Sequence, residues 1–473
     1  MQTAKLRKLR KPLDEAGEDV KVRGEILNKS AWIKIVLVVV LAMFAVPMLA
    51  TPVAAAEPST SPIDTGDTAW LLISTALVFL MVPAVGFFYG GMLRKESFLS
   101  MLGQTIIITG LVTIIWFIAG YSLAFGPDSG GFIGNLDFAF LNGVGADPGS
   151  AIFMPTTVPQ ELYMLFQLMF AIITVCLLIG GIAERMKLRS LIIFLGIWTL
   201  LVYVPVAHWV WGGGWIFTMG ALDFAGGTVV HITAGVSVLA AVLVLGKRIS
   251  AQNGQGDHPH SVPMVVLGAG LLMFGWFGFN GGSALSSGAL AVVAMTNTMI
   301  AASVAGVVWG MVNWLHLGRP GVLGLASGII AGLVAITPAC GYVTPSGAFI
   351  IGLCAGMICY GGILLRKKLG FDDALDVWGV HGLGGTFGAL ATGIFAVQTT
   401  YGTTVVGANG LLAGGGFDLL AKQSIAVAVV WVFAFGITFV VLKIMNKLSP
   451  VRMTKEEERI GADIIQHGEQ AYQ

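Results

Sequence analysis

"DFAGGTVVH" occupies residues 223–231, and "DVWGVHGLGG" occupies residues 376–385. Each sets one histidine in an apolar stretch with an acid just upstream. Asp223 precedes His231 by eight residues, and Asp376 precedes His381 by five. The surrounding chain makes the pattern unusual. Of 473 residues, 56% are apolar and 11% are charged, against about 25% charged in a soluble domain. Apolar runs long enough to cross a bilayer, about 18 residues or more, recur along the chain. An all-α integral membrane protein follows, and there an ionisable side chain usually marks a substrate or proton path.

The remaining composition narrows the classes. A net charge of +1 argues against a nucleic-acid partner. Cys176, Cys340, Cys354 and Cys359 all lie in apolar segments without metal-ligand spacing, as small buried hydrophobes do. The 65 glycines suit close helix packing in lipid.

Residues 1–56 form a separate N-terminal extension. A basic region with Lys5, Arg7, Lys8, Arg10 and Lys11 precedes "IVLVVVLAMFAVPMLATPVAAAE". A basic region, an apolar core and small residues ending at Ala56 describe a signal peptide, with an uncleaved anchor as the competing reading. The membrane domain then covers residues 57–448, and a polar tail covers 449–473.

Apolar runs predict 11 spans in the mature chain: 68–93, 98–125, 160–183, 188–208, 226–246, 262–282, 288–315, 321–338, 346–365, 375–397 and 423–445. With the N-terminus outside, inner loops carry Arg94/Lys95, Arg185/Lys187/Arg189, Lys247/Arg248, Arg319 and Arg366/Lys367/Lys368. Outer loops carry almost no basic residues, Lys422 being the exception, so the C-terminus is cytoplasmic. Eleven spans divide as a 5+5 inverted repeat plus one extra helix. "GFFYGG" (86–91) echoes "GFNGGS" (278–283), and the fifth and tenth spans each hold one histidine.

Of the seven histidines, His258, His260 and His467 lie in polar loops or the tail. His208 and His316 lie at span ends, where water would satisfy them. Only His231 and His381 fall inside spans. Two facing imidazoles can share a proton, one donating and one accepting, and a low-dielectric pore favours their neutral forms. A zinc site would need further ligands at close spacing, and neither histidine has one at i+3 or i+4. Asp223 is placed to cap a helix start at "AGGT", and Asp372, Asp373 and Asp376 would do similar work before the tenth span. "HWVWGGGWIF" (208–217) falls in an outer loop, where an indole either anchors at the interface or attracts a small cation through its face. Phe166, Phe170 and Phe279 sit in the outer halves of their spans, to pack or to close a narrow path.

From about residue 64 to its end, the chain resembles the ammonium transporter, methylammonium permease and Rhesus superfamily, on the bacterial-type ammonium transporter branch. "DFAGGTVVHITAG…GKR" (223–248), "WFGFNGGS" (276–283), "WGGGW" (211–215) and "DVWGVHGLGG" carry the resemblance, and "EERIGADIIQHGEQAY" (457–472) looks like the family's regulatory tail. The resemblance implies that Trp211, Ser283 and Phe166 form an outer ammonium site. It makes Phe170 and Phe279 a stacked gate, His231 and His381 the paired pore histidines, and Asp223 a structural acid. Gly461 and Asp463 would belong to the regulatory tail, with Gly461 supplying a turn that a side chain would obstruct. Val238 stands where members usually have a small residue, and Ala462 replaces a usual leucine.

The implied protein is a multi-pass homotrimer of the cell's inner membrane, with one pore per subunit and a PII-type signalling partner on its cytoplasmic face. It would move ammonium or methylammonium as ammonia plus a proton, electrogenically, with no cofactor and no enzymatic activity. Other classes have weaker support. No N-P-A half-helix motif points to a water or glycerol channel, and sodium dependence would mark a sodium-coupled transporter. A pure ammonium sensor with little transport is the alternative.

Overall fold

The computed structural model describes residues 62–148, 156–252, 259–400, 403–404 and 407–472. The expected signal peptide and His258 lie outside the described residues. Helices dominate, because a chain in lipid must satisfy every backbone N–H and C=O internally. Nine helices among the described residues are long and apolar enough to cross a membrane. They are α1 (Thr65–Met92), α2 (Lys95–Phe125), α3 (Gln160–Ile182), α4 (Leu188–Met219), α5 (Gly227–Leu245), α6 (Val262–Gly281), α7 (Ala289–Leu317), α9 (Pro345–Leu369) and α11 (Asp418–Leu448).

The expected eighth and tenth spans are shorter elements. Helix α8, Val322–Ile336, has 15 residues and a length of roughly 22 Å at 1.5 Å per residue, below the ~30 Å of a hydrocarbon core. Helix α10, residues 378–395, joins the π-helical turn Trp378–Gly382 to Leu383–Phe395. Helix α8 packs against α6, α7, α9 and α10.

The expected fourth span ends too early at 208. The helix continues through Val204–Trp211 and resumes at Trp215–Met219, so Trp211 ends a helix and does not lie in a loop. A hairpin of β1 (Asp128–Ser129) and β2 (Ile133–Gly134) follows α2 and packs near this helix end. Helix α3 is buried along almost its whole length and forms the centre of the bundle. Helices α7, α9 and α11 leave large apolar side chains outward, among them Leu315, Phe349 and Val432. An apolar exterior around a packed interior is the arrangement a lipid solvent favours.

One sequence departure has a local explanation. Val238 is fully buried on α5, and a Cβ on Gly181 would lie 2.1 Å from its Cγ1. Val238 therefore occupies room that a glycine on α3 leaves open.

Candidate functional site

The first histidine turn is built around one carboxylate. Asp223 accepts the backbone N–H groups of Gly226 (2.9 Å), Gly227 (2.7 Å), Thr228 (2.7 Å) and Val229 (3.2 Å). The first four N–H groups of a helix lack intrahelical partners, and here one side chain takes four of them. Gly226 turns the chain into this start with φ +109°, a conformation that side chains rarely adopt. The helix opens as the π-helical turn Gly227–Ile232, with His231 in its last part. Burial pushes the Asp223 carboxyl up, and the four N–H groups oppose that push.

The second turn repeats the construction with a different acid from the one nearest in sequence. Asp373 accepts the Trp378 N–H at 2.7 Å, and it precedes His381 by eight residues, as Asp223 precedes His231. Asp376 instead pairs with Arg366. Asp372 does not cap either: it binds Arg248 through Nη2 (2.9 Å) and Arg185 through Nη1 (3.2 Å). His381 again sits inside a π-helical turn, Trp378–Gly382. Single π turns often mark functional sites, because the extra residue redirects side chains.

The two helices cross closely. Gly235 and Gly385 each stand four residues after a histidine. A Cβ on Gly235 would lie 2.2 Å from the Gly382 nitrogen, and one on Gly385 would lie 3.0 Å from the His231 Cβ. This crossing brings His381 Nδ1 to 3.2 Å from His231 Nδ1. One ring must donate and the other accept at that contact. His231 Nε2, fully buried, has no hydrogen-bond partner among the described residues. The imidazoles line a cavity of about 20 Å³ with Met81, Val85, Tyr89, Leu272 and Trp276. A water needs about 10–15 Å³ by the same kind of measure, so the cavity holds one small molecule. A second cavity of about 470 Å³ runs from His381 towards Arg366, Lys367 and His316 at the tail end.

At the other end, Phe166, Phe170, Trp211 and Ser283 share a pocket of about 30 Å³. The Trp211 indole N–H donates to the Asp223 carbonyl at 2.9 Å, leaving the ring as its remaining contact surface. Ser283 Oγ donates to the Phe279 carbonyl at 2.8 Å, so its lone pairs stay available as acceptors. Phe170 and Phe279 lie 4.4 Å apart between centroids, tilted by 41° and not parallel. They stand between this pocket and the histidines, with Phe279 stacked on His231 at 6.1 Å.

The tail is ordered against the opposite end. Thr454 and Glu457 form a capping box over Lys455–Ile460 (α12), and Ala462–His467 forms α13. Gly461 separates them with φ +111°, and a Cβ there would lie 2.5 Å from Glu96 Cβ. Asp463 accepts the N–H groups of Ser100 (2.6 Å) and Leu99 (3.0 Å), at the start of α2. Burial pushes its carboxyl up, against the pull of those two donors. Glu458 pairs with Arg452 and accepts the Ile249 N–H at 3.1 Å. Glu184 then joins Arg94 to Arg248, whose guanidinium meets Asp372. Burial would raise the Asp372 carboxyl, but Arg248 and Arg185 hold it at about 2. Arg185 itself falls to about 10, because complete burial outweighs the pull of Asp372.

Three features escaped the sequence reading. Trp276 stacks on His231 at 5.5 Å and donates its indole N–H to Thr337 Oγ1 at 2.9 Å. Gln167 lines the Trp211 pocket. His208 is fully buried and not satisfied by water, since its ring meets the Ala124 carbonyl and Asp128. Position within "GWFGFN" gave Trp276 no distinguishing mark, whereas "HWVW" marked His208 as close to Trp211.

Comparison with known proteins gives a consistent picture. The sequence matches the Ammonium Transporter Family over residues 69–472. The ammonium transporter of Bacillus subtilis (strain 168) is 47% identical over 411 residues, covering 86% of this chain and 98% of that protein. The crystal structure of Candida albicans Mep2 superimposes with a TM-score of 0.78 at 38% identity, covering 87% of this chain and 91% of that one. A structure described as a sensor Amt protein gives a TM-score of 0.77 at 30% identity, covering 85% and 98%.

Proposed function

The chain belongs to the ammonium transporter family, and we propose that it carries ammonium across the cell's inner membrane as ammonia and a separate proton. One observation carries the reading: two imidazoles meet nitrogen to nitrogen at 3.2 Å beside an apolar cavity sized for one small molecule. A potassium ion entering that cavity would lose its water and meet almost no oxygen ligands. Burying an unpaired ion costs many kcal/mol. Ammonium has a route that potassium lacks. It can leave its proton on the imidazole pair and continue as neutral ammonia, which is no larger than water. The moving proton makes uptake electrogenic.

The geometry supports the remaining roles. Trp211 attracts the cation through its ring, and Ser283 accepts one of its N–H groups, with Phe166 closing the pocket. Phe170 and Phe279 form the gate that strips water. Asp223 holds the His231 turn and the Trp211 indole together. The Trp211 end faces outside and the tail faces the cytoplasm, with α8 and α10 completing 11 crossings. The shared eight-residue acid-to-histidine offset and the glycine four residues after each histidine support an inverted repeat. The family resemblance supports a homotrimer and a PII-type partner at the tail end, and the basic region, apolar core and small residues ending at Ala56 support a cleaved leader over residues 1–56.

A second reading has one specific observation in its favour, the 30% identical sensor Amt structure. Purified protein in liposomes separates the two. A transporter gives an ammonium-dependent current and accumulates methylammonium. Ammonium binding with neither current nor uptake would make the protein a sensor.

A further inference from the structure

His208 lies on α4, one turn before Trp211, and is fully buried. Its Nδ1 is 3.0 Å from the Ala124 carbonyl oxygen, and its Nε2 is 2.8 Å from Asp128 Oδ1. A carbonyl oxygen only accepts. Asp128 also accepts the Gly131 N–H at both oxygens, at 2.9 and 3.0 Å, as a carboxylate does. A neutral imidazole has a single N–H and would turn one nitrogen lone pair towards an oxygen. Only the imidazolium supplies a hydrogen to each side.

Asp128 belongs to the hairpin that follows α2. The same hairpin accepts the Trp209 indole N–H at the Phe132 carbonyl (2.8 Å) and the Trp215 N–H at the Gly131 carbonyl (3.0 Å). Residues 208–215 are thus fastened to the hairpin on one side. On the other side, Trp211 is fastened to the Asp223 carbonyl. Of the hairpin contacts, the His208–Asp128 contact is the charged one. It is also the nearest of them in helical spacing to Trp211, since residues three apart share a helix face.

We propose that His208 is held as an imidazolium whose ion pair with Asp128 clamps the hairpin onto α4 and so positions the Trp211 ring for cation capture. This rests on the reading of Trp211 as part of the recruiting pocket. His208 and Asp128 are positioning residues, which act through Trp211 and touch no substrate. The pairing also neutralises a positive charge that would otherwise stand close to a cation-recruiting pocket. Asp128 is 40% exposed, so its replacement leaves the buried core intact.

Nitrogen-15 spectra of histidine-labelled protein in bilayers at neutral pH, with the signal assigned by its loss in His208→Gln, count the ring protons directly. Two protonated ring nitrogens are expected at His208, and a single one overturns the proposal. Methylammonium uptake in liposomes tests the clamp. Asp128→Ala should raise the half-saturation concentration about threefold or more, the scale of a weakened cation–π contact, and leave the maximal rate unchanged. Asp128→Asn should restore it, because its amide donates to Nε2 of a neutral ring and keeps the fastening. If Trp211→Leu raises the half-saturation and Asp128→Ala does not, the clamp is overturned while the recruiting pocket stands. If Trp211→Leu itself has no effect, the pocket reading fails and the positioning role falls with it, and the proton count still decides the ion pair.

Discussion

The two histidine turns share a plan and differ in what holds them. Asp223 spends both oxygens on four N–H groups of its own turn. No Arg or Lys pairs with it among the described residues. Asp373 caps the second turn at Trp378, and its neighbour Asp372 is locked to Arg185 and Arg248. That cluster continues through Glu184 and Arg94 to the Glu458 carbonyl in the tail. The first turn is therefore self-contained, while the second is mechanically continuous with the tail end. The contact pairs one histidine on a fixed mount with one on a mount that the tail end can reach.

Breaking the caps should expose this asymmetry most strongly. Asp223→Ala strands several buried N–H groups, each worth about 1–3 kcal/mol. It should lower the thermal midpoint in detergent severely or prevent recovery of folded protein. Asp373→Ala should fold, with a smaller loss of roughly 1–3 kcal/mol. Equal losses from the two changes would remove the distinction between the mounts.

Much of this was legible in the sequence. The apolar runs located the helices, the two histidines inside spans are the pair that the structure brings into contact, and Asp223 before "AGG" announced a cap. For the second cap the sequence offers Asp372, Asp373 and Asp376 without choosing among them, because three acids within five residues cannot be ranked by spacing alone. Only the backbone direction distinguishes Asp373, which faces the turn, from Asp376, which has φ +57° and faces Arg366. The π turns were invisible, since hydrophobic pattern reports a buried helix and not its hydrogen-bond register. Gly235 and Gly385 were present as letters, but their closeness depends on two helices 150 residues apart in sequence. His208 was assigned to water because a span-end position predicts exposure, and nothing local announces a hairpin folding over it.

The tail-linked mount has two further tests. Gly461→Asp would force a side chain into Glu96, against a backbone that already needs positive φ. It should displace the tail and, in the proposed homotrimer, reduce transport of mixed wild-type and variant assemblies by more than the mutant fraction. A loss proportional to that fraction would confine the tail's effect to its own subunit. Acid should weaken the same cluster. Asp372 is held at about 2, below the ordinary aspartate value of about 3.9. Its stabilising contribution is complete above roughly pH 4 and is lost as pH falls through the folded value. The thermal-midpoint gap between wild type and Asp372→Asn should therefore be widest near neutrality and narrow below about pH 4. A gap independent of pH would mean that the charge of Asp372 contributes nothing. The smallest effect belongs to Trp211→Leu, which should raise the half-saturation for methylammonium with little change at high concentration. An unchanged concentration dependence would make Trp211 an interfacial anchor only.

On the proposed mechanism, the paired imidazoles separate ammonium into ammonia and a proton. The most direct test is the ammonium current of liposomes carrying the His231→Ala, His381→Ala double variant, measured beside wild type and with potassium as the competing ion. The ammonium current should disappear or fall by orders of magnitude, and any residual conductance should admit potassium. A double variant with wild-type ammonium current and undiminished exclusion of potassium would contradict it.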